Sequence, residues 1–386
     1  MTMLRRSLTL FALSAIVAAA CGQIGAPAPN TYDVSVDTKS AAFNLATTAY
    51  FPNELTAHAG DTVRFTSVDR GEPHTVTLGT LIDKLAPILE KLPPGAPEPP
   101  EAAKAPTLIA GEPPLLFVPQ SGAQACFLAT GDPPAKDACA KAAQPEFDGT
   151  QAFYNSGYLP DAAVFSVKLS ASVKPGTYRF MCLLHRGAMT GSLTVVESSK
   201  AVPAPATLKS NGDALVQKIV AGLKPATDAA FNLSGGKAVA GVGAQEVPQG
   251  FATVFGPKQA QIPVGGSVTW NVFGPHTISF NAPQDAVGAL VKTPDGSWAL
   301  NGKALAPAGW PGAPPPPAAA PGAPPPSAPI LVDAGTWDGK GVHSSGLILS
   351  FPPVIFAYKL TFAQAGTYKV VCLIHPDMDG TVKVGN

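Results

Sequence analysis

The sequence predicts an all-β protein built from two copies of one unit. Its 386 residues include 42 Pro and 38 Gly but only 13% charged residues, a composition that favours strands, turns and extended linkers over long helices. Alternating polar and apolar residues follow Gly turns in "GDTVRF" (60–65) and "GSVTW" (266–270), as they do in half-buried strands. The segments that begin at residues 182 and 372 nearly repeat each other, which marks the repeat as a structural unit.

The N-terminal segment predicts export. Arg5 and Arg6 precede an apolar run that ends at Ala20 and is too short to span a bilayer. The run continues into "VAAACG" (17–22), which resembles the lipobox of bacterial lipoproteins with Cys21 as the lipidated residue, and simple cleavage after an Ala-x-Ala site is the alternative. We expect a signal peptide over 1–20, a spacer over 21–30, and a mature protein in the periplasm or on the outer cell surface, held to the membrane by a lipid anchor.

Each repeat ends in a segment that combines a thiol, an imidazole and a thioether. These segments are "CLLHRGAM" (182–189) and "CLIHPDM" (372–378), and strand-like "GTYRFMC" and "GTYKVVC" lead into them. Because strand side chains alternate between two faces, Cys182 and Cys372 each end a buried face. Upstream, a Pro-His-Thr motif follows the strand after the Gly turn in each copy.

These residue types together predict a copper site in each repeat. A thiolate at a strand end, a histidine three residues later, a methionine just beyond and a distant histidine form a His2Cys set with an axial Met, which is typical of blue-copper electron-transfer sites. The predicted ligands are His74, Cys182, His185 and Met189 in the first repeat, and His276, Cys372, His375 and Met378 in the second. We therefore expect two type 1 copper ions per chain.

The two ligand sets resemble those of the cupredoxins, the family of plastocyanin, amicyanin, pseudoazurin and halocyanin. The resemblance covers 31–198 and 235–386, with 199–234 as the linker. It implies two Greek-key β-sandwich domains, each with copper near one end. It also implies that His185 and His375 are partly exposed ligands through which electrons leave.

One departure from the family pattern and one difference between the repeats bear on the predicted sites. The family often has Asn after its first histidine ligand, whereas this chain has Thr75 and Thr277, whose hydroxyls we expect to substitute in part. Arg186 follows the histidine of the first ligand loop, and Asp377 lies in the second. A nearby cation favours reduced copper and a nearby carboxylate favours oxidised copper, so these flanking charges predict the higher reduction potential for the first site.

Long inserts separate the ligands within each repeat. Both contain Pro-rich tracts, at 92–106 and 307–329, which are typical of polyproline II or disorder. Residues 79–92 predict a short amphipathic helix, broken near its proline, that covers the sandwich or meets a partner. A second short helix is predicted at 213–224, in the linker.

The remaining cysteines predict a disulfide. Cys126 and Cys139 lie 13 residues apart in a loop that contains Gly and Pro but no histidine. Because unligated thiols of an exported protein are usually oxidised, a local disulfide between them is expected and a metal site is not.

Composition and the number of histidines exclude several classes of function. Zero formal net charge argues against a nucleic-acid partner. Multicopper oxidases need paired His-x-His motifs and two-domain copper nitrite reductases need three further histidines, but only His58 and His343 remain here. We therefore expect no enzyme, but a carrier of single electrons between an unidentified redox donor and acceptor of the cell envelope. The alternative is a copper storage or resistance protein, against which the total of five Met argues.

Overall fold

The computed structural model describes residues 28–68, 71–92, 114–115, 118–119, 122, 124–129, 144–294, 296–305 and 328–385. Strands dominate these ranges and form facing sheets, which confirms the predicted all-β class. Four predicted features lie outside the described residues: the expected signal peptide, Cys21, Cys139 and nearly all of both Pro-rich tracts. Cys126 is disulfide-bonded. No helix within the described ranges is long and apolar enough to cross a membrane.

The first half of the chain forms a two-sheet sandwich. Its strands are β1 (Thr31–Val36), β2 (Leu45–Thr47), β3 (Tyr50–Phe51), β4 (Glu54–His58), β5 (Thr62–Ser67), β6 (Thr77–Leu78), β7 (Pro114–Leu115), β8 (Val118–Pro119), β9 (Ala125–Leu128), β10 (Phe153–Ser156), β11 (Val164–Lys168), β12 (Gly176–Met181) and β13 (Thr190–Val196). One sheet has the order β11-β5-β1-β3 and the other β4-β13-β12-β6-β10-β9. Apolar side chains from alternate positions of both sheets, such as Val34 and Phe180, meet in one core between them.

Helix α1 (Thr80–Leu89) covers the outer face of the six-stranded sheet. Its apolar side chains Ile82 and Leu85 belong to a second cluster with Phe153 and Met181. The predicted helix over 79–92 is thus present and covers the sandwich. The expected break at Pro87 is wrong, because the helix continues to Leu89.

Helix α2 (Pro205–Phe231) joins the two halves and is longer than the predicted 213–224. Its first residue is a proline, which suits a position whose N–H has no partner within the helix. Ile219 and Leu223 are fully buried against Phe51 of the first half and Val254 of the second. This burial outweighs the cost of Pro225 in the helix interior, so the helix continues past residue 224, where the sequence predicted its end.

The second half repeats the sandwich. Its elements are β14 (Lys237–Gly243), β15 (Gly250–Gly256), β16 (Gln259–Ile262), β17 (Ser267–Val272), β18 (Gly274–His276), β19 (Ser279–Phe280), β20 (Leu290–Lys292), β21 (Trp298–Leu300), α3 (Gly302–Leu305), β22 (Ile330–Trp337), β23 (His343–Ser344), β24 (Ile348–Ser350), β25 (Phe356–Phe362), β26 (Gly366–Val371) and β27 (Asp379–Val384). The sheets have the orders β2-β15-β14-β17-β25-β22 and β16-β27-β26-β19-β23. Strand β2 of the first half therefore belongs to a sheet of the second, where Ala46 pairs with Phe251 of β15.

Candidate metal centres

The first centre lies where strands β5 and β12 end. His74 follows β5 in the loop before β6, Cys182 comes directly after β12, and His185 lies three residues further on. One donor atom from each of the three lies within 4.8 Å of the others, and Cys182 Sγ is 3.5 Å from Nδ1 of His185. His74 and Cys182 are fully buried, whereas the side chain of His185 is 16% exposed.

The second centre repeats this arrangement in the second half. His276 ends β18, and Cys372 directly follows β26. Cys372 Sγ lies 3.8 Å from Nδ1 of His276 and 3.4 Å from Nδ1 of His375, and the two Nδ1 atoms are 3.1 Å apart. All three residues are buried.

A backbone hydrogen bond places a methionine beside each cysteine. The N–H of Cys182 donates to the carbonyl of Met189 at 3.0 Å, and the N–H of Cys372 donates to that of Met378, also at 3.0 Å. Both methionines are fully buried and belong to the same core clusters as their cysteines. Each ligand loop is therefore closed at its base, although the first is one residue longer than the second.

The threonines after the first histidines hold the ligand loops. The hydroxyl of Thr75 accepts from the backbone N–H of Leu183 at 2.9 Å, and that of Thr277 accepts from the N–H of Leu373 at 2.7 Å. The backbone N–H of each threonine also lies 3.4 Å from the sulfur of its cysteine. Threonine thus takes over the anchoring role expected of Asn, and it does so identically in both copies.

Thiolate sulfur and imidazole nitrogen donors fit a metal ion between soft and borderline in character, such as copper. Nitrogen and sulfur donors that share one ion at bond lengths of about 2.0–2.3 Å lie roughly 3–4 Å apart, which matches the spacing of these atoms. Nδ1 of His74 is buried and has no hydrogen-bond partner among the described residues, as a metal-ligating nitrogen requires. Burial raises the pKa of both thiols, but the neighbouring histidines outweigh it and hold these pKa values well below their usual range, which favours thiolate.

The two centres differ in what supports the first histidine. Nε2 of His74 donates to the buried carboxylate of Asp37 at 3.2 Å. Strand register makes Gly241 the counterpart of Asp37, because Val36 pairs with Ser67 just as Ala240 pairs with Val272. A Cβ atom at Gly241 would collide with His276, whose Nε2 is buried without a hydrogen-bond partner among the described residues.

This difference affects protonation in the metal-free protein. Burial lowers the pKa of both histidines, but hydrogen bonds to Asp37 and Cys182 outweigh it for His74 and raise that pKa to about 10. The pKa of His276 is instead lowered, with burial as the largest cause. Asp37 therefore acts on the first centre, and its positional counterpart in the second, Gly241, carries no carboxylate.

A second carboxylate joins the two centres. Nε2 of His375 donates to Oε1 of Glu72 at 3.0 Å, and Nε2 of His185 lies 3.4 Å from Oε2 of the same residue. Burial raises the pKa of Glu72, but these two histidines outweigh it and hold the pKa well below its usual range. One ionised, buried carboxylate thus contacts a predicted ligand of each centre.

This contact corrects one expectation. His375 is only 3% exposed, because Glu72 and the surrounding first-half loop cover it, so the prediction that it is a partly exposed ligand is wrong. Of the histidines outside the ligand sets, His343 is buried and 2.7 Å from the hydroxyl of Tyr358, and His58 contacts the carbonyl of Lys200 at 2.8 Å. Both serve the fold.

Sequence reasoning missed Asp37 and Glu72, although one signal was available. Glu72 precedes Pro-His-Thr in the first copy, and Gly274 holds that position in the second. When equivalent positions of two repeats hold a charged residue in one copy and a glycine in the other, the charged residue has a role that only its own copy supplies. Recognising this requires that the two copies are first aligned by strand register.

Comparisons with known proteins find similarity only to solved structures, and that similarity is low. No protein-family model matches the chain, and no curated protein sequence does. Similar solved structures include an auracyanin from Roseiflexus castenholzii (17% identity, 43% of this chain, 96% of that chain, TM-score 0.23) and auracyanin A, a "blue" copper protein from Chloroflexus aurantiacus (19%, 44%, 99%, TM-score 0.24). An oxidised mutant amicyanin is also similar (12%, 43%, 82%, TM-score 0.21). The resemblance to these copper proteins carries no argument at such TM-scores, and the functional argument rests on the geometry.

Proposed function

We propose that this protein is an exported, two-domain blue copper protein that carries single electrons. The observation that supports this most directly is the pair of Cys-His-His clusters, which are buried except for the partly exposed His185, each beside a fully buried methionine. In this proposal one copper is held by His74, Cys182, His185 and Met189, and the other by His276, Cys372, His375 and Met378. Bound copper would supply a one-electron couple between its +2 and +1 states, which sulfur and imidazole donors stabilise in both forms.

The chain contributes a rigid set of donors. Each cysteine is fixed by a strand end, by the backbone hydrogen bond to its methionine and by the threonine that anchors the following residue. Donors held in this way keep their positions when the charge of the ion changes, so little rearrangement accompanies electron transfer. Such rigidity favours an electron carrier over a copper store, which has to release its metal.

Electron exchange with a partner is proposed to occur beside His185. Of the eight predicted ligands, all of which lie in the described part of the chain, His185 is the most exposed. Its side chain lines an apolar groove. Leu349 and Phe351 line the same groove and are 44% and 43% exposed. An exposed apolar surface beside a metal ligand suits transient contact with redox proteins of the cell envelope. In this proposal Cys21 carries the lipid anchor that keeps the protein at the membrane.

Copper content and absorption spectra test the proposed function. The purified protein should bind two coppers per chain and show intense thiolate-to-copper absorption. Cys182→Ala and Cys372→Ala should each remove one copper and leave the other, so each variant serves as the control for its partner. A single copper in the unmodified chain, or two coppers without that absorption, would contradict the two-site proposal.

A chelator challenge distinguishes the carrier from the store. We expect both coppers to remain bound through repeated cycles of mild reduction and reoxidation in the presence of a modest chelator. Loss of copper on reduction, or uptake of several further ions per chain, would instead support the storage or resistance function.

A further inference from the structure

The two predicted copper centres face each other across a single side chain. Each imidazole presents Nδ1 to its own cysteine, at 3.5 Å in the first centre and 3.4 Å in the second. The opposite ring nitrogen, Nε2, faces Glu72, at 3.4 Å from His185 and 3.0 Å from His375. The order of groups is therefore thiolate site, imidazole, carboxylate, imidazole, thiolate site.

Resting on the proposed function, we infer that Glu72 is the bridge through which an electron passes between the two centres of one chain. In this step one Cu(I) becomes Cu(II) at one centre and one Cu(II) becomes Cu(I) at the other. The electron is the only particle exchanged, no covalent bond forms or breaks, and the imidazole N–H groups keep their protons. Glu72 is a positioning residue in this step, since it holds both ligand rings and is itself neither oxidised nor reduced.

The surroundings favour transfer along this route. Glu72 is 5% exposed and His375 is 3% exposed, so protein rather than bulk water occupies most of the space around the bridge. The carboxylate offers one oxygen to each ring, and charge-assisted hydrogen bonds of this kind are shorter and stronger than neutral ones. Gly274, the counterpart of Glu72, has no side chain, so the second copy places no carboxylate at the equivalent position.

Contacts away from Glu72 fix the relative position of the centres. Strand β2 of the first half pairs with β15 of the second, and helix α2 packs against both halves. The side-chain amide of Asn44 also donates to the carbonyl of Asp377 in the second ligand loop, at 2.5 Å. Because these contacts hold the domains together, replacing Glu72 alters the bridge while the two centres stay opposed.

The bridge also explains how the buried second centre exchanges electrons. His375 has almost no exposed surface, whereas His185 is partly exposed. An electron that enters at His185 therefore reaches the second centre through Glu72. The two coppers then form one relay and not two independent carriers.

Glu72→Gln is the decisive variant. Gln keeps the size of the side chain, but its amide nitrogen takes the place of one carboxylate oxygen and cannot accept from an imidazole N–H, so one of the two contacts is lost. Both imidazoles touch the same carboxylate, so the charge change acts on both centres in the same direction and largely preserves the driving force between them. Glu54→Gln is the matched control, since Glu54 is an exposed residue of the same domain and makes the same charge change.

The measurement follows a single electron within each chain. Copper content is determined first, so that a failure of the proposed function shows as missing copper and is distinguished from a failure of the bridge. The fully oxidised protein then receives less than one electron per chain by pulse radiolysis, and redistribution between the centres is followed at several protein concentrations. Pulsed EPR on the oxidised protein gives the distance between the two coppers, a readout independent of electron transfer.

We expect redistribution in the unmodified protein to be first order and independent of protein concentration. Glu72→Gln should slow it by about ten- to a hundredfold, the range typical for loss of a group that orients a metal ligand, with both coppers and their separation unchanged. Glu54→Gln should behave like the unmodified protein. Redistribution that depends on protein concentration, or an equal rate in Glu72→Gln and Glu54→Gln, would overturn the inference. If Glu72→Gln changes the copper separation, Glu72→Asp, whose shorter side chain spans the two rings less well, takes its place with the same expected slowing.

Discussion

Replacing Asp37 by Asn should raise the reduction potential of the centre built on Cys182. Asp37 is fully buried, and its carboxylate accepts hydrogen bonds from the backbone N–H groups of Thr38 and Thr47, from the Thr47 hydroxyl, and from Nε2 of His74. A buried negative charge stabilises oxidised copper, so its removal favours the reduced state. Gly241 supplies no such charge to the second centre, which should therefore have the higher potential. This reverses the order that the flanking charges Arg186 and Asp377 predict.

The size of the effect follows from the geometry. The carboxylate oxygen lies 3.2 Å from Nε2 of His74. The imidazole ring and a metal–nitrogen bond of about 2.0 Å extend this to roughly 7 Å between the charge and the ion. At an effective dielectric constant of about 20, one unit charge at that distance interacts by about 2.4 kcal/mol. Since about 59 mV corresponds to a tenfold change for one electron, the expected shift is about 100 mV.

Redox titration on a single-site background measures this shift. Cys372→Ala isolates the first centre, and Asp37→Asn is compared with it on that background. Asp33→Asn provides the control, because Asp33 lies on β1, four residues before Asp37, and carries the same charge but is 53% exposed and pairs with Arg64. A shift below about 20 mV, or a shift to lower potential, would show that the buried carboxylate does not set the potential in the way that the charge argument requires.

Three further outcomes are expected. Thr75→Ala leaves the buried N–H of Leu183 without its acceptor and should lower the free energy of unfolding of the metal-free protein by about 1–3 kcal/mol in denaturant titrations. Thr75→Ser keeps the hydroxyl and should retain most of this stability. Equal values for the two variants would contradict the anchoring role. Ile219→Ala should lower the free energy of unfolding by about 2–5 kcal/mol in the same assay, because this side chain of α2 is fully buried against residues of both halves. A change below about 1 kcal/mol would argue against that packing. Neighbouring thiolates and Glu72 outweigh burial and raise the pKa of His185 to about 9 and that of His375 to about 10 in the metal-free protein, so protons must leave before metal binds. Copper affinity should therefore rise with pH until the pH reaches these pKa values, and then level off. Competition with a chelator across pH tests this prediction, and a flat profile would refute it.

Local patterns were sufficient to predict the composition of each cluster. Side chains alternate along β12, which predicts that Phe180 lies on the same buried face as Cys182 and that Met181 lies on the opposite face. The structure confirms this, with Phe180 and Cys182 in the core between the sheets and Met181 beneath α1. Such predictions succeed because backbone geometry alone decides which way neighbouring side chains point.

The carboxylates could not be predicted in this way. Asp37, which follows β1, contacts His74, which lies 37 residues further along the chain, and Glu72 contacts His375, which lies 303 residues further along. Neither contact leaves a periodic trace in the sequence, since each depends on how separate elements pack. The extent of α2 was missed for a related reason: Pro225 predicts a helix end, but burial of Ile219 and Leu223 against two domains offsets the hydrogen bond that proline removes.

Because strand β2 of the first repeat belongs to a sheet of the second, the two repeats are not separable modules. All seven residues of β15 are buried, and Leu45–Thr47 of the first repeat pairs with the first three of them along one edge of the strand. A fragment that begins at residue 235 would expose this edge, which invites pairing with another chain, and would also lose the carboxylate that covers His375. Domain shuffling that transplants the second repeat alone should therefore yield an aggregation-prone protein, and the pair of repeats is the smallest unit that can be transferred intact.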